Sequence, residues 1–446
     1  MYLRRFQIKN VRSIDSLEMD FPRGQEAGWH VILGQNGSGK SSVVRSFALL
    51  MMGQKEAYAS RQDFTRWIRN PGDEAVIDGI ILRDIESAWD ALSGSGPPPK
   101  NPILPRVSLS WLGEGHARRV EPIYSGQLVD RTLWGTGTGW FSASFGPFRR
   151  FTGGDRIYDK LFISNRRLAP HLSALGEDVA LTEALSWLTS LHVQQLQDLR
   201  NSESSYSGHV LDKIIEFLNK SDFLPHDSYI HSVTNEQVLV QDGNGAVVSL
   251  DQLSDGYRSA LSLTLELMRQ MFELYGHEIM GDAFQSHLGR VVAPGVVAID
   301  EIDAHLHPSW QRNIGRWLTR CFPYVQFIVT THSPIVCRAI IDDDDNLRGT
   351  IWRLPAPGSG DRFQQVVGDD LNSLAYGDVL DAFGTELFGR DVMRSPAGHH
   401  KLARLAALNR AALERALTER EKGERRDLRS IFPAGAGTLD AATVPR

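Results

Sequence analysis

Residues 34–42 read GQNGSGKSS, which has the G-x-x-x-x-G-K-[ST] spacing of a loop whose backbone N–H groups wrap phosphates. Gly34, Gly37 and Gly39 let the chain approach a ligand closely. Lys40 is placed to reach β- and γ-phosphates, and the Ser41 hydroxyl to ligate Mg²⁺. A second set lies far along the chain. GVVAIDE, residues 295–301, is an apolar run ending in two carboxylates. Asp300 suits the acid that holds Mg²⁺, and Glu301 the base that orients an attacking water. LSDGYRS, residues 253–259, puts Ser254 and Gly256 at the start of a helical run, an anion site suited to a γ-phosphate. TTHSP, residues 330–334, closes a strand-like run, and His332 there can sense a γ-phosphate by a hydrogen bond. Alone, the last two motifs read equally well as a helix cap and a strand-end histidine. Their order behind a phosphate loop gives them meaning.

These residues need elements to hold them. Residues 1–33 alternate apolar and polar, as antiparallel strands do, and lead through WHVIL into the loop. SVVRSFALLMM after the loop reads as a helix. AVIDGIIL (75–82), VSLSWL and GWFSASFG read as further strands, and SGSGPPPKNPILP (93–105) as a loop. From 157 to 224 the period turns helical. QVLVQDGNGAVVSL then gives a hairpin about DGNG, and GYRSALSLTLELMRQMFELY a long helix. A helix through PSWQRNIGRWLTRCF separates GVVAIDE from the strand VQFIVTTH. Buried runs alternating with helices predict an α/β fold on a mostly parallel sheet.

Composition narrows the class. The chain has 446 residues, 41% hydrophobic and 23% charged, ordinary for a globular protein. A net charge of −6 gives no bulk attraction to polyanions, so any contact with DNA or RNA needs a local patch. The two cysteines, Cys321 and Cys337, make no disulfide framework and suit a reducing, cytoplasmic setting. MYLRRFQIKN has no signal-peptide core and no run approaches 18 apolar residues, so no membrane role is expected.

With these motifs in this order, the chain resembles the ABC-type ATPases of the SMC, RecF and OLD group. FGPFRR, LSDGYRS, IDEIDAHLHPSWQR and FIVTTHSP are similar in particular to stand-alone ATPases of bacterial defence operons, of the Septu type and its retron-linked relatives. The resemblance covers about residues 1 to 385. It implies a P-loop ABC-type head with a mixed sheet and ATP and Mg²⁺ as cofactors. It makes Glu301 and His332 the catalytic residues. Asn36, Gly37, Gly39, Lys40, Ser41, Ser42, Ser254 and Gly256 become nucleotide contacts, and Ser41 and Asp300 metal ligands. Arg12, in KNVRSID, matches a basic residue that related ATPases place near the nucleotide, and Gln62 is the candidate Q-loop residue. DAHLHP (303–308) lies at the D-loop, with His307 where many members have aspartate. The signature departs too, with Asp255 and Tyr257 in place of a glycine and a glutamine. The implied partners are a second copy, in a homodimer or higher even oligomer that uses Ser254 in trans, and a co-encoded HNH-type or similar nuclease. DNA or RNA stands as a further candidate partner. A RecF-like DNA-repair ATPase is the alternative function.

Spacing sets limits on this resemblance. The helical stretch between the two half-sites is broken by Pro170, Gly176, Gly208 and Pro225, so an inserted compact lobe replaces a long coiled coil. The expected layout is a head from 1–70 and 246–390, a strand-rich part at 71–156, a helical lobe and hairpin at 157–245, and a basic tail at 391–446. Only 114 residues follow His332, and they offer no spaced acidic set for a nuclease; DDDD (342–345) reads as a solvated loop. His305 and His307 lack the partners of a metal site. FGPFRRF (145–151) reads either as a phosphate contact or as a strand end with ion-paired arginines. From 394 onward, eleven Lys/Arg face six Asp/Glu, and LARLAALNRAALERALTEREKGERRDL reads as one strong helix, solvated or docking, before a disordered end.

Overall fold

The computed structural model describes residues 2–82, 101–113, 119–130, 132–134, 140–148, 165, 167–176, 183–201, 206–221, 224, 227–377 and 396–432. It divides into two units, Met1–Tyr376 and Gly377–Arg446.

In the first unit, β1 (Tyr2–Val11) and β2 (Ile14–Asp20) form a hairpin. β1 also pairs antiparallel with β4 (Ala75–Leu82), which continues to β5 (Leu104–Leu112) and β6 (Arg119–Gln127) in the order β2-β1-β4-β5-β6. The second sheet is built on β3 (Gly28–Leu33), whose six residues are all buried. Such a run, apolar on both faces, is what a central parallel strand requires. β3 lies between β14 (Val325–Thr331) and β15 (Gly349–Arg353). β14 pairs with β13 (Gly295–Ile299), and β13 with β7 (Ser142–Phe145), all parallel; only β16 (Gln364–Gln365) runs antiparallel, at the β15 edge.

Helix α1 (Lys40–Met51) is buried between the two sheets. Ten of its twelve residues are buried, and Phe47, Leu49 and Leu50 share one core with Phe6 and Ile77 of the first sheet and Ala298 and Ile328 of the second. Two β-branched residues at its start, Val43 and Val44, are tolerated because packing on both sides outweighs their weak helix preference. Gln326 of β14 also ties the sheets together. It looks like a surface residue in VQFIV, but it is fully buried: its Oε1 accepts from Leu3 N–H at 2.9 Å and its Nε2 donates to Leu3 O at 2.9 Å.

The helical lobe consists of α2 (Glu183–Arg200) and α3 (Tyr206–Lys220), which pack on each other, followed by the small sheet β8 (Tyr229–Val233), β9 (Val238–Gln241) and β10 (Val247–Ser249). Most of the helical reading between 157 and 182 lies outside the described residues, as do Arg149, Arg150 and Phe151 and the loop from 93 to 100. Helix α4 (Asp255–Tyr275) is buried continuously from Ser259 to Phe272 and meets the lobe through Trp187 against Phe272, 5.7 Å between ring centres. That burial takes in a charge cluster: Arg269 donates from Nε and Nη2 to both oxygens of Glu266 at 2.8 and 2.6 Å, and Gln270 Nε2 donates to Glu266 at 2.6 Å. A buried carboxylate is tolerated only with such pairing. The unit also holds a short ribbon, β11 (Phe284–Gln285) with β12 (Arg290–Val291), and helix α5 (Pro308–Cys321). The longest described helix is α4 at 21 residues, so no long coiled coil occurs among the described residues.

The second unit corrects the single tail helix. The chain forms α6 (Pro396–Glu414) and α7 (Glu419–Ile431), packed through Leu405, Leu408 and Leu428. The break falls at Thr418, whose hydroxyl accepts from Glu421 N–H while the Glu421 carboxylate accepts from Thr418 N–H. This capping box starts a new helix within a run that propensity alone would carry through. The end of the chain, 433–446, lies outside the described residues.

Candidate nucleotide site

The glycines shape the phosphate loop. Gly37 and Gly39 have φ of +80° and +105°, and a Cβ on Gly39 would stand 2.6 Å from the Ser13 hydroxyl at the β1–β2 turn. On Gly34 it would stand 2.3 Å from Ser38 Oγ. α1 then begins at Lys40 with no side-chain cap, so its first N–H groups open onto the loop. Asn36 is exposed, Ser41 half-buried and Ser42 buried in the first turn. Lys40, 4% exposed, folds its ammonium over the loop and donates to Gly34 O at 2.9 Å and Gln35 O at 3.1 Å. Burial lowers its pKa from the usual lysine value, while Glu301, Asp300 and Asp303 oppose that shift. Residues 260 positions apart in sequence are therefore electrostatic neighbours.

The strand order brings them together. β3 and β13 both flank β14 in parallel, so the phosphate loop after β3, the acids after β13 and His332 after β14 leave the same sheet edge. There Gly34 N–H donates to Thr331 O at 3.3 Å. Asp300 is 3% exposed; its N–H donates to Phe145 O at 2.8 Å and its Oδ1 accepts from Thr330 Oγ1 at 2.6 Å. Thr330 Oγ1 in turn accepts from Glu301 N–H at 2.9 Å. Glu301 has φ of +44°, a left-handed conformation that costs a glutamate about 1–3 kcal/mol and persists only where surrounding bonds impose it.

Thr331 repeats the arrangement one residue on. Its hydroxyl donates to Asp303 Oδ1 at 2.6 Å and accepts from Ser333 N–H at 2.9 Å. Ser333 Oγ donates to Gln311 Oε1 at 2.8 Å, and Gln311 Nε2 donates to Leu306 O at 2.9 Å. His332 is more than half exposed, with Nδ1 3.2 Å from Asp303 Oδ2. Asp303, Thr330, Thr331 and Gln311 were missed as site residues. The signal for the threonines was a polar pair ending a strand whose earlier positions, VQFIV, are all buried.

Other candidates stand apart from this edge. Ser254 is the exposed N-cap residue of α4, with no side-chain cap bond, and a Cβ on Gly256 would meet His305 O at 3.1 Å. Tyr257 packs its ring on Trp310, 5.2 Å away. The signature thus leans on the loop after Glu301 within one chain. His307 caps α5, its ring accepting from Ser309 N–H at 3.3 Å. Arg12, at the β1–β2 turn with φ of +52°, sets its guanidinium 5.6 Å from the Trp67 ring centre. Burial, then the neighbouring Arg45, lowers its pKa. It is adjacent to Ser13, which abuts Gly39. Gln62 is half-buried beyond the short helix Gln54–Ala59, whereas the strand beside Asp300 is β7, which continues into Gly146, Pro147 and the exposed Phe148. The run 342–345 is a turn in which Asp342 accepts from Asp344 N–H and Asn346 N–H and pairs with Arg348 at 3.1 Å.

Residues 5–86 match the family described as "AAA domain", and residues 160–338 that described as "AAA domain, putative AbiEii toxin, Type IV TA system". The Septu protein PtuA of Bacillus mycoides (strain KBAB4) is 27% identical over 346 residues, covering 77% of this chain and 40% of that protein. The Retron Ec83 probable ATPase of Escherichia coli is 33% identical over 201 residues, 45% of this chain and 34% of that protein. The chain thus spans well under half the length of these two relatives. A crystal structure of the SmcHead bound to the C-winged helix domain of ScpA aligns with a TM-score of 0.47 at 14% identity, over 83% of this chain and 98% of that one. Both AAA matches fall on segments that build the sheet edge, and in sequence the chain is similar to the Septu protein PtuA and the retron probable ATPase.

Proposed function

We propose that the chain binds ATP with Mg²⁺ and hydrolyses it as the regulatory subunit of a bacterial antiphage complex. The observation that carries this is the convergence of Lys40 with Asp300 and Glu301 at one sheet edge, over a loop too tight for any Cβ at Gly34 or Gly39. That cradle and the uncapped start of α1 fit a polyphosphate, and the buried Asp300 carboxylate, held on one oxygen by Thr330, fits a metal ligand. The N–H groups of Gly37 to Ser42 hold phosphate oxygens, and Lys40 reaches the β/γ-phosphates. Ser41 and Asp300 would hold Mg²⁺, which would supply positive charge against the phosphates. Glu301, fixed by its backbone bond to Thr330, orients the attacking water and accepts its proton.

A second copy presents Ser254 and Gly256 to the γ-phosphate, which gives a two-fold sandwich dimer. Exposure of Ser254 and its uncapped side chain support that reading. Turnover is slow and the chain cleaves no nucleic acid itself. Its closed and open states bias a separately encoded HNH-type nuclease through differential binding, with the basic tail from residue 394 onward as a docking surface. The setting is cytoplasmic; no described helix is long and apolar enough to cross a membrane. The test is Glu301→Gln. Nucleotide binding stays, hydrolysis slows at least about 100-fold, and the ATP-bound variant accumulates as a dimer by mass. Hydrolysis at the wild-type rate refutes the assignment.

A further inference from the structure

We infer that Asp303 is a positioning residue that fixes His332 in its Nδ1–H tautomer, so that Nε2 is left as a hydrogen-bond acceptor. The inference rests on the ATP site proposed above. It follows from counting hydrogens around one buried carboxylate. The Thr331 hydroxyl has a single proton; its acceptor side is taken by Ser333 N–H at 2.9 Å, and the proton goes to Asp303 Oδ1 at 2.6 Å. Asp303 Oδ2 is buried and makes no hydrogen bond of good geometry among the described residues. A buried carboxylate oxygen without a donor is costly. The nitrogen at its side is His332 Nδ1, at 3.2 Å, and the His332 ring is exposed enough to turn into line. With the proton on Nε2, two lone pairs would face each other across that gap. With the proton on Nδ1, the gap becomes a charge-assisted bond.

The consequence concerns what His332 does. A neutral ring with its proton on Nδ1 donates nothing through Nε2, so the γ-phosphate-sensing bond expected from the sequence would need an imidazolium. What neutral His332 offers at Nε2 is an acceptor for one hydrogen of the attacking water, beside Glu301. Thr331 lets Asp303 do this, because it occupies Oδ1 and turns Oδ2 toward the ring. Carboxylates that set the tautomer of a working histidine recur in hydrolytic and metal sites.

The test is Asp303→Asn. The Thr331 hydroxyl still needs an acceptor, so the amide oxygen takes that side and the NH₂ faces His332 Nδ1, reversing the tautomer to Nε2–H. The decisive readout is the ring ¹⁵N spectrum of histidine-labelled protein at about pH 8, above the ordinary histidine range. His332 is assigned by its loss in His332→Gln. Wild type should show Nδ1 protonated and Nε2 bare, and Asp303→Asn the reverse. ATP turnover should fall about 10–100-fold in kcat, less than the roughly 10⁴-fold of the same change in a Ser-His-Asp triad, because His332 is not itself the base. KM should hold within about threefold, since no phosphate contact is removed. An Nε2–H ring in wild type, or an unchanged tautomer in Asp303→Asn, overturns the inference. If wild type hydrolyses no ATP, the proposed function fails, and the spectrum still decides the tautomer.

Discussion

Thr330→Val removes a hydroxyl and leaves shape, which makes it the most informative single change at this site. Thr330 is fully buried, and its Oγ1 both donates to Asp300 Oδ1 at 2.6 Å and accepts from Glu301 N–H at 2.9 Å. The first bond reaches a charged group and is worth about 1.5–3 kcal/mol; the second, once lost, leaves a part-buried N–H at a cost of about 1 kcal/mol or more. Valine opens no cavity, so the loss should be about 3 kcal/mol, a large share of the roughly 5–15 kcal/mol typical of a folded protein. Thr330→Ser is the control, because it keeps both bonds and loses one methyl, about 1 kcal/mol. Urea unfolding of the three proteins gives the comparison directly. Kinetics should separate them further. Glu301 is held in a left-handed conformation by that N–H bond, so Thr330→Val lowers kcat at least about tenfold and Thr330→Ser leaves it within about twofold. A valine variant as stable and as active as the serine variant would refute the claim that Thr330 couples the two acids.

Two further outcomes follow from the same structure. Gly39→Ala forces a Cβ to 2.6 Å from Ser13 Oγ at φ +105°. It should cost about 1–3 kcal/mol and abolish ATP binding by calorimetry, and Ser13→Ala should restore only the steric part. His171 and His30 are fully buried, and burial pushes their pKa values down to about 3 and about 4. Both stay neutral in the folded chain while the unfolded chain takes up protons below about pH 6.5. Stability is full above that pH and falls on acidification, at about 1.4 kcal/mol per pH unit per histidine until the folded pKa is reached. Urea midpoints of His171→Gln from pH 7 to 4.5 should fall less steeply than wild type by that amount.

The strands and most of the site-bearing helices were legible because their patterns are local. GVVAI and VQFIVTT are apolar runs with no polar face to misplace, and the phosphate loop announces its own turn through three glycines. What sequence could not supply was partnership. Gln326 reads as a polar interruption until Leu3, 323 positions away, is seen to satisfy it. His307 looked like a departure from a family aspartate, and in the fold its ring caps α5. Asp303 was one more acid in DEIDAHLHP until Thr331 and His332 arrived beside it from another strand. The tail break at Thr418 was there to be read as T-x-x-E, but a long stretch of strong helix formers on either side masked it.

The placement of β3 has a consequence for synthesis on the ribosome. Its neighbours are β14 and β15, so the strand that launches the phosphate loop has no sheet to join until residues near 325–353 are made. At roughly 5–20 residues per second, that is a wait of about 15–60 s during which the apolar β3 and the face of α1 that packs on the second sheet are exposed. Nascent chains stopped before about residue 325 should therefore be chaperone clients and protease substrates, and the capacity to bind nucleotide should appear abruptly once β14 emerges.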